Sequence, residues 1–106
     1  MAQRLDMKPL PKNALGQALR YARRAQGVSQ EDFGAVSSRT YLSQLERGER
    51  HATLSKIDVL SQVLRLHPAS VVALSYLQDS LDEDAMEGLL ATIRSELTQL
   101  RASLNS

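Results

Sequence analysis

The sequence predicts an all-α protein, and three observations support this. Hydrophobic residues make up 42% of the 106 residues and recur at the three- and four-residue spacing of helices. Only five Gly and three Pro interrupt the chain, and Ser, Thr or Asn residues that can cap helices precede the apolar runs. One Phe, three Tyr and no Trp leave a mostly aliphatic core. We expect a five-helix domain followed by a C-terminal amphipathic helix.

The composition argues against several kinds of site. There is no Cys, which excludes disulfides and thiolate metal sites. His51 and His67 lie far apart in the sequence, so we expect neither a metal nor another cofactor. No apolar run reaches the roughly 18 residues that span a bilayer, and no signal-like segment follows Met1. We therefore expect a cytoplasmic protein without a membrane or small-molecule partner.

Charge is distributed unevenly along the chain. Residues 1–80 carry 11 Lys and Arg against 7 Asp and Glu, whereas residues 81–106 carry 2 against 5. The formal net charge of +1 therefore hides a basic segment followed by an acidic one. This asymmetry is typical of a protein that presents one part only to nucleic acid.

The first elements follow from capping and glycine signals. Residues 1–13 are predicted to form a flexible N-terminal arm, because Pro9 and Pro11 interrupt them. The predicted domain covers residues 14–78, and its first helix, residues 14–26, is preceded by Asn13 as the expected N-cap. Gly27 can adopt the left-handed conformation that ends a helix.

Two short helices joined by a tight turn are predicted next. Ser29 and Asp32 have the spacing of a capping box, which starts a second helix. Ser37 or Ser38 caps a third helix over residues 39–47, and Gly48 ends it. The buried side of that helix is formed by Leu42 and Leu45, with part of Tyr41, which leaves its other side polar.

Two aliphatic helices complete the predicted domain. Thr53 caps the fourth, residues 54–66. Pro68 fits the first position of the fifth, residues 68–77, because its missing N–H is not needed there.

The C-terminal segment, residues 80–106, is predicted to be one amphipathic helix opened by a capping box of Ser80 and Glu83. Its apolar residues alternate at spacings of four and three, which is a heptad seam that favours dimerisation. The seam residues are Met86, Leu90, Ile93, Leu97, Leu100 and Leu104. Glu96 and Arg101 occupy positions for a salt bridge between two parallel copies. The alternative is that the helix folds back on its own domain, because Leu81, Ala85 and Leu89 widen the apolar face.

Three segments in order resemble the lambda-repressor-like Cro/Xre family of bacterial and phage helix-turn-helix DNA-binding domains. They are LRYARRAQGVSQEDF at residues 19–33, SRTYLSQLERGER at residues 38–50, and the looser ATLSKIDVLSQVLRLHP at residues 52–68. Between Ser-Gln-Glu and Leu-Glu-Arg-Gly the chain is about two residues shorter than the common pattern. The second helix must therefore be shorter, or the turn tighter.

The resemblance implies a role for particular residues. It places Arg39, Thr40 and Gln44 at base-reading positions, and their side chains can pair with base edges in the major groove. It implies phosphate contacts for Gln30, Ser38, Ser43, Arg47 and Arg50. It also implies a structural salt bridge between Arg23 and Glu46.

The expected function is therefore sequence-specific DNA binding by a transcriptional regulator, as a repressor that binds a palindromic operator as a homodimer. The partners would be double-stranded DNA, a second copy and a possible protein partner. The alternative is a protein-interaction module or an antitoxin-like partner protein on the same fold. No arrangement of residues typical of an active site is present, so an enzyme is not expected.

Overall fold

The computed structural model describes residues 10–77 and 80–105, and these residues form helices without any strand. The predicted all-α class is confirmed. The helices are α1 (Ala14–Ala25), a 3₁₀ helix (Gln30–Phe33), α2 (Arg39–Glu46), α3 (Leu54–Leu64), α4 (Pro68–Tyr76) and α5 (Glu83–Leu104). Most of the predicted arm, residues 1–9, lies outside the described residues.

Helix α1 buries its small and aliphatic side chains and is packed very closely against α2. A Cβ atom added to Gly16 would collide with the carbonyl oxygen of Leu45 and lie 2.7 Å from that of Glu46. Asn13 precedes α1, but its side chain makes no capping hydrogen bond, contrary to expectation. The first turn is instead linked to the preceding loop by a 3.0 Å hydrogen bond from the Ala14 amide to the Pro11 carbonyl.

The predicted second helix is only one 3₁₀ turn of four residues. The capping box is present, because the Asp32 amide donates to the Ser29 hydroxyl and the Ser29 amide donates to the Asp32 carboxylate. The chain then turns at once, since the amides of Val36 and Ser37 both donate to the Phe33 carbonyl. The short distance to the next N-cap leaves no room for a longer helix.

Helix α2 starts where the sequence indicates and ends at Glu46, one residue earlier than predicted. The Ser38 hydroxyl accepts a 3.0 Å hydrogen bond from the Tyr41 amide, which makes Ser38 the N-cap. Leu42 and Leu45 are each 1% exposed and fix the buried side. Gly48 follows with a φ of 78°, a conformation that glycine adopts without steric cost.

Helices α3 and α4 are joined by a compact turn. Thr53 caps α3 as predicted, by accepting a hydrogen bond from the Lys56 amide. The helix ends at Leu64, two residues earlier than predicted, because Arg65 adopts a left-handed φ of 61°. The Nδ1 atom of His67 accepts a 2.9 Å hydrogen bond from the Ala69 amide and so caps the start of α4.

One aliphatic core around Phe33 holds α1 to α4 and the 3₁₀ helix together. Its buried members are Leu19, Ala22, Val28, Phe33, Leu42, Leu45, Leu60, Leu64 and Val71. Because α2 contributes two leucines to this core, its orientation is set by the rest of the domain.

The chain divides into two compact units between Tyr76 and Leu77, and the C-terminal unit contains α5. Its N-cap is Asp82 and not Ser80 as predicted, since the Asp82 carboxylate accepts from the Ala85 amide at 2.8 Å. The Ser80 hydroxyl donates to that carboxylate instead. The hydrogen bond from the Ala85 amide lowers the pKa of Asp82 the most, and the hydrogen bond from the Ser80 hydroxyl lowers it further. A charged carboxylate suits the positive end of the helix dipole better than a hydroxyl does.

No single helix in the described part of the chain is long and apolar enough to cross a membrane. Only α3 and α4 taken together have the length and composition, and they are bent by 102° at the break between them. Within residues 10–77 and 80–105, no group of three or more His, Cys, Asp or Glu side chains could hold a metal ion.

Candidate nucleic-acid interface

The outward side of α2 is polar and includes the three side chains that are predicted to read bases. Arg39 and Thr40 are exposed at its first turn, and Gln44 is half-buried one turn later. With 3.6 residues per turn, these three positions fall within a sector of about 140° around the helix axis. Leu42 and Leu45 occupy the opposite side. The three residues predicted to read bases therefore share one face.

The orientation of α2 is also fixed by the buried carboxylate of Glu46, which is 4% exposed. Arg23 of α1 donates two hydrogen bonds to it, from Nε at 2.7 Å and from Nη2 at 3.1 Å. This is the contact that the sequence analysis expects for these two residues. Arg20 lies further away, with its Nε 3.7 Å from Glu46. A two-point arginine–carboxylate pair fixes orientation as well as distance, so α1 holds α2 at a defined angle.

Gln30 connects the 3₁₀ helix to the same carboxylate. Its side-chain amide donates a 3.1 Å hydrogen bond to Oε1 of Glu46. The resemblance implies a phosphate contact for Gln30. In the structure this half-buried side chain contacts the C-terminal end of α2.

A second group of contacts, around Tyr41, joins α2 to α3. The Tyr41 hydroxyl donates to the His51 carbonyl at 3.4 Å. Two cations lie over its ring, with the Lys56 ammonium 5.1 Å and the Arg50 guanidinium carbon 5.7 Å from the centroid. Lys56 also donates to the carbonyl of Val36 at 2.8 Å. Cation–π contacts of this kind hold positive charge beside the outward face of α2.

The arginines beside this face are all paired in the free protein. Nη1 of Arg39 lies 3.6 Å from a carboxylate oxygen of Glu31. Arg47 donates two hydrogen bonds to Glu49, at 2.9 and 3.2 Å. This hydrogen bonding raises the pKa of Arg47 and lowers the pKa of Glu49.

Gln44 is also engaged, through its side-chain oxygen. It accepts a 3.0 Å hydrogen bond from Nε of Arg50. Arg50 therefore couples a position predicted to contact phosphate to one predicted to read a base. The amide nitrogen of Gln44, which is a donor, takes no part in this bond.

The two predicted phosphate-contacting serines differ in position. Ser38 is exposed and its oxygen accepts the capping hydrogen bond, while Ser43 is half-buried within α2. Sequence reasoning missed the acidic partners Glu31 and Glu49 and the contacts of Lys56. The Arg-Gly-Glu sequence at residues 47–49 was a signal for the Glu49 pair, because a glycine turn can bring its neighbours together.

Comparison with known families identifies this architecture. A helix-turn-helix family model matches residues 19–71, which is half of the chain and includes the 3₁₀ helix and α2. The chain belongs to the helix-turn-helix family. Within this helix-turn-helix domain, α2 is the second helix of the motif, which in this family is the recognition helix. Among curated protein sequences, the comparison finds no significant match.

Solved structures of regulators share the fold. The restriction-modification controller protein C.AhdI from Aeromonas hydrophila is 34% identical, with a TM-score of 0.53 over 57% of this chain and 94% of that chain. The clp gene regulator ClgR from Corynebacterium glutamicum is 30% identical, with a TM-score of 0.61 over 71% of this chain and 100% of that chain. Another ClgR structure is 28% identical, with a TM-score of 0.59 over 87% of this chain and 93% of that chain. The family and these structures support a DNA-binding transcriptional regulator.

Proposed function

We propose that the protein represses transcription by binding a palindromic operator as a homodimer, with α2 in the major groove of each half-site. One observation carries this proposal. The outward face of α2 presents Arg39, Thr40 and Gln44, while the buried Glu46 anchors the helix to α1 and the 3₁₀ helix. A short polar helix held rigidly by its neighbours can carry side chains to base edges.

The chemistry of the three side chains suits base reading. Arg39 can donate two hydrogen bonds to guanine, Gln44 can pair with adenine, and the Thr40 methyl can contact thymine. The proposed phosphate contacts are made by five further residues, which are Gln30, Ser38, Ser43, Arg47 and Arg50. Such contacts fix the register of the protein on DNA and supply the salt-dependent part of the affinity.

Dimerisation is proposed through α5, because most of the stability of a helix in a protein comes from packing its apolar face, and the apolar seam of α5 is exposed. None of its residues is buried, and Leu97 and Leu100 are 61% and 59% exposed. A twofold dimer would read two half-sites about 34 Å apart.

Selection from a random DNA library at two salt concentrations tests the proposed function. We expect a palindromic site with half-sites about one helical turn apart. Retention of no DNA even at low salt would instead favour the second candidate, a protein-interaction module. The exposed leucines and acidic first turn of α5 are the observations that favour that candidate.

Substitutions then separate base contacts from phosphate contacts. Arg39→Ala should cost about 1–3 kcal/mol on the selected site and relax its sequence preference. Arg47→Ala should weaken binding to selected and to random DNA equally. It should also reduce the slope of log affinity against log salt by about 1. Arg24→Ala removes an exposed arginine of α1 and is the control for a lost positive charge. Equal behaviour of Arg39→Ala and Arg47→Ala would show that this assignment of contacts is wrong.

A further inference from the structure

Each end of α2 carries an arginine that is paired with a glutamate. At the N-terminal end Arg39 lies 3.6 Å from Glu31, and at the C-terminal end Arg47 makes two hydrogen bonds with Glu49. Both glutamates are exposed, so neither is required by the core. They also place negative charge next to a surface that would approach a polyanion.

We propose that Glu31 and Glu49 compete with DNA for these two arginines and thereby set how tightly, and how selectively, the protein binds DNA. This inference rests on the proposed function, because it concerns the same face of α2. It assigns a role to two acidic residues that make no favourable contact with DNA themselves.

Glu49 acts on binding to any sequence. Its carboxylate occupies Nε and Nη2 of Arg47, which are donors that a two-point phosphate contact needs. Arg47 must give up or share these hydrogen bonds when it meets a phosphate. Because Glu49 is only two residues away, its charge stays close to that phosphate and repels it. Glu49 therefore weakens specific and non-specific complexes alike.

Glu31 acts mainly on the specific complex. Its contact with Arg39 is a single one at 3.6 Å between side chains that are 76% and 70% exposed. On random DNA Arg39 can stay beside Glu31, since no base edge has to be reached. On the selected site Arg39 must leave Glu31 to contact a base. Glu31 therefore weakens specific binding more than non-specific binding.

The test for Glu49 is the binding of fluorescent random duplex DNA by the full chain over a range of salt concentrations. Glu49→Gln should bind about twofold to fivefold more tightly than wild type at low salt, in line with the strength of exposed ion pairs. Its plot of log affinity against log salt should be steeper, by up to about 0.9.

Two further variants show whether the gain comes from Arg47. In an Arg47→Ala background, Glu49→Gln should give a clearly smaller gain, because only the direct repulsion between Glu49 and the phosphate is then removed. Asp58→Asn removes the same charge from an exposed position on α3. Asp58 lies about 200° around that helix from Lys56, which faces α2, so this substitution should leave DNA affinity unchanged. A gain that is undiminished without Arg47, or that Asp58→Asn reproduces, would overturn the proposal for Glu49.

The test for Glu31 compares two DNA sequences. Glu31→Gln should raise affinity for the selected site more than affinity for random DNA, whereas Glu49→Gln should raise both by the same factor. An equal effect of Glu31→Gln on both DNAs, or none, would overturn its role. Wild-type protein that retains no DNA at low salt would instead refute the proposed function, so the two failures are distinguishable.

Discussion

At the scale of single residues, Glu46 is the point where three elements meet. Its carboxylate belongs to α2 and accepts hydrogen bonds from Arg23 of α1 and from Gln30 of the 3₁₀ helix. A buried charge is stable only when it is paired, so this carboxylate makes the position of α2 depend on both neighbours.

Loss of Arg23 should therefore cost more than loss of its neighbour Arg24. Arg23→Met keeps the length of the side chain but leaves the buried carboxylate without its two-point partner. We expect a loss of about 3 kcal/mol in the free energy of unfolding, measured by urea denaturation. Arg24→Met, at an exposed position on the same helix, should change it by less than about 0.5 kcal/mol. Similar values for the two variants would mean that the buried pair contributes nothing.

The contacts of single side chains show where sequence reasoning reaches its limit. The Arg23–Glu46 contact was expected from the resemblance, because a motif carries its residues at fixed places in a fold. The Arg50–Gln44 and Lys56–Val36 hydrogen bonds were not expected. They depend on the rotamers of long side chains and on the path of a loop, which no periodicity in the sequence records.

At the scale of elements, three caps and two glycines were predicted because they act locally, although the Asn13 side chain makes no capping hydrogen bond. Ser38 and Thr53 cap their helices, and Gly27 and Gly48 have positive φ values, as the sequence indicated. The 3₁₀ helix was predicted only as a shortened helix, since its length depends on how much chain is left before the next cap. Asp82 replaced Ser80 as a cap because two adjacent side chains competed for one role, and the charged one prevailed.

The same substitution should have opposite effects at two glycines. Gly16→Ala places a methyl group against the backbone of α2, which cannot move without disturbing Glu46. We expect a loss of about 2–3 kcal/mol in the free energy of unfolding, as measured by urea denaturation. At Gly88 in α5 an added Cβ meets nothing within 4 Å. Gly88→Ala should therefore increase helicity by circular dichroism and stabilise α5 by up to about 1 kcal/mol. A neutral Gly16→Ala would show that α1 and α2 are not in such close contact.

At the scale of the whole molecule, the chain combines a basic N-terminal unit with an acidic helix that has no buried residue. The sequence indicated a basic segment followed by an acidic amphipathic helix, from its charge and from its heptad spacing. It could not predict what packs against the heptad seam, because folding back on the domain and pairing with a second copy would bury the same leucines. Pairing with a second copy, which is the arrangement proposed above, would remove those leucines from water.

The dimer is best tested at Leu97, which lies in the middle of the seam and is 61% exposed. Leu97→Asp should convert a dimer into a monomer in sedimentation velocity experiments, because a charge cannot be buried in an apolar seam without a partner. Ser95→Asp adds the same charge two residues away, outside the seam, and should leave the dimer intact.

DNA binding should respond to the same change. On a palindromic site, Leu97→Asp should bind at least about 100-fold more weakly than wild type, because the second half-site no longer benefits from a linked domain. On DNA with a single half-site the two proteins should bind equally, since α2 is unchanged. A Leu97→Asp protein that remains a dimer would instead place the second copy on another surface of the chain.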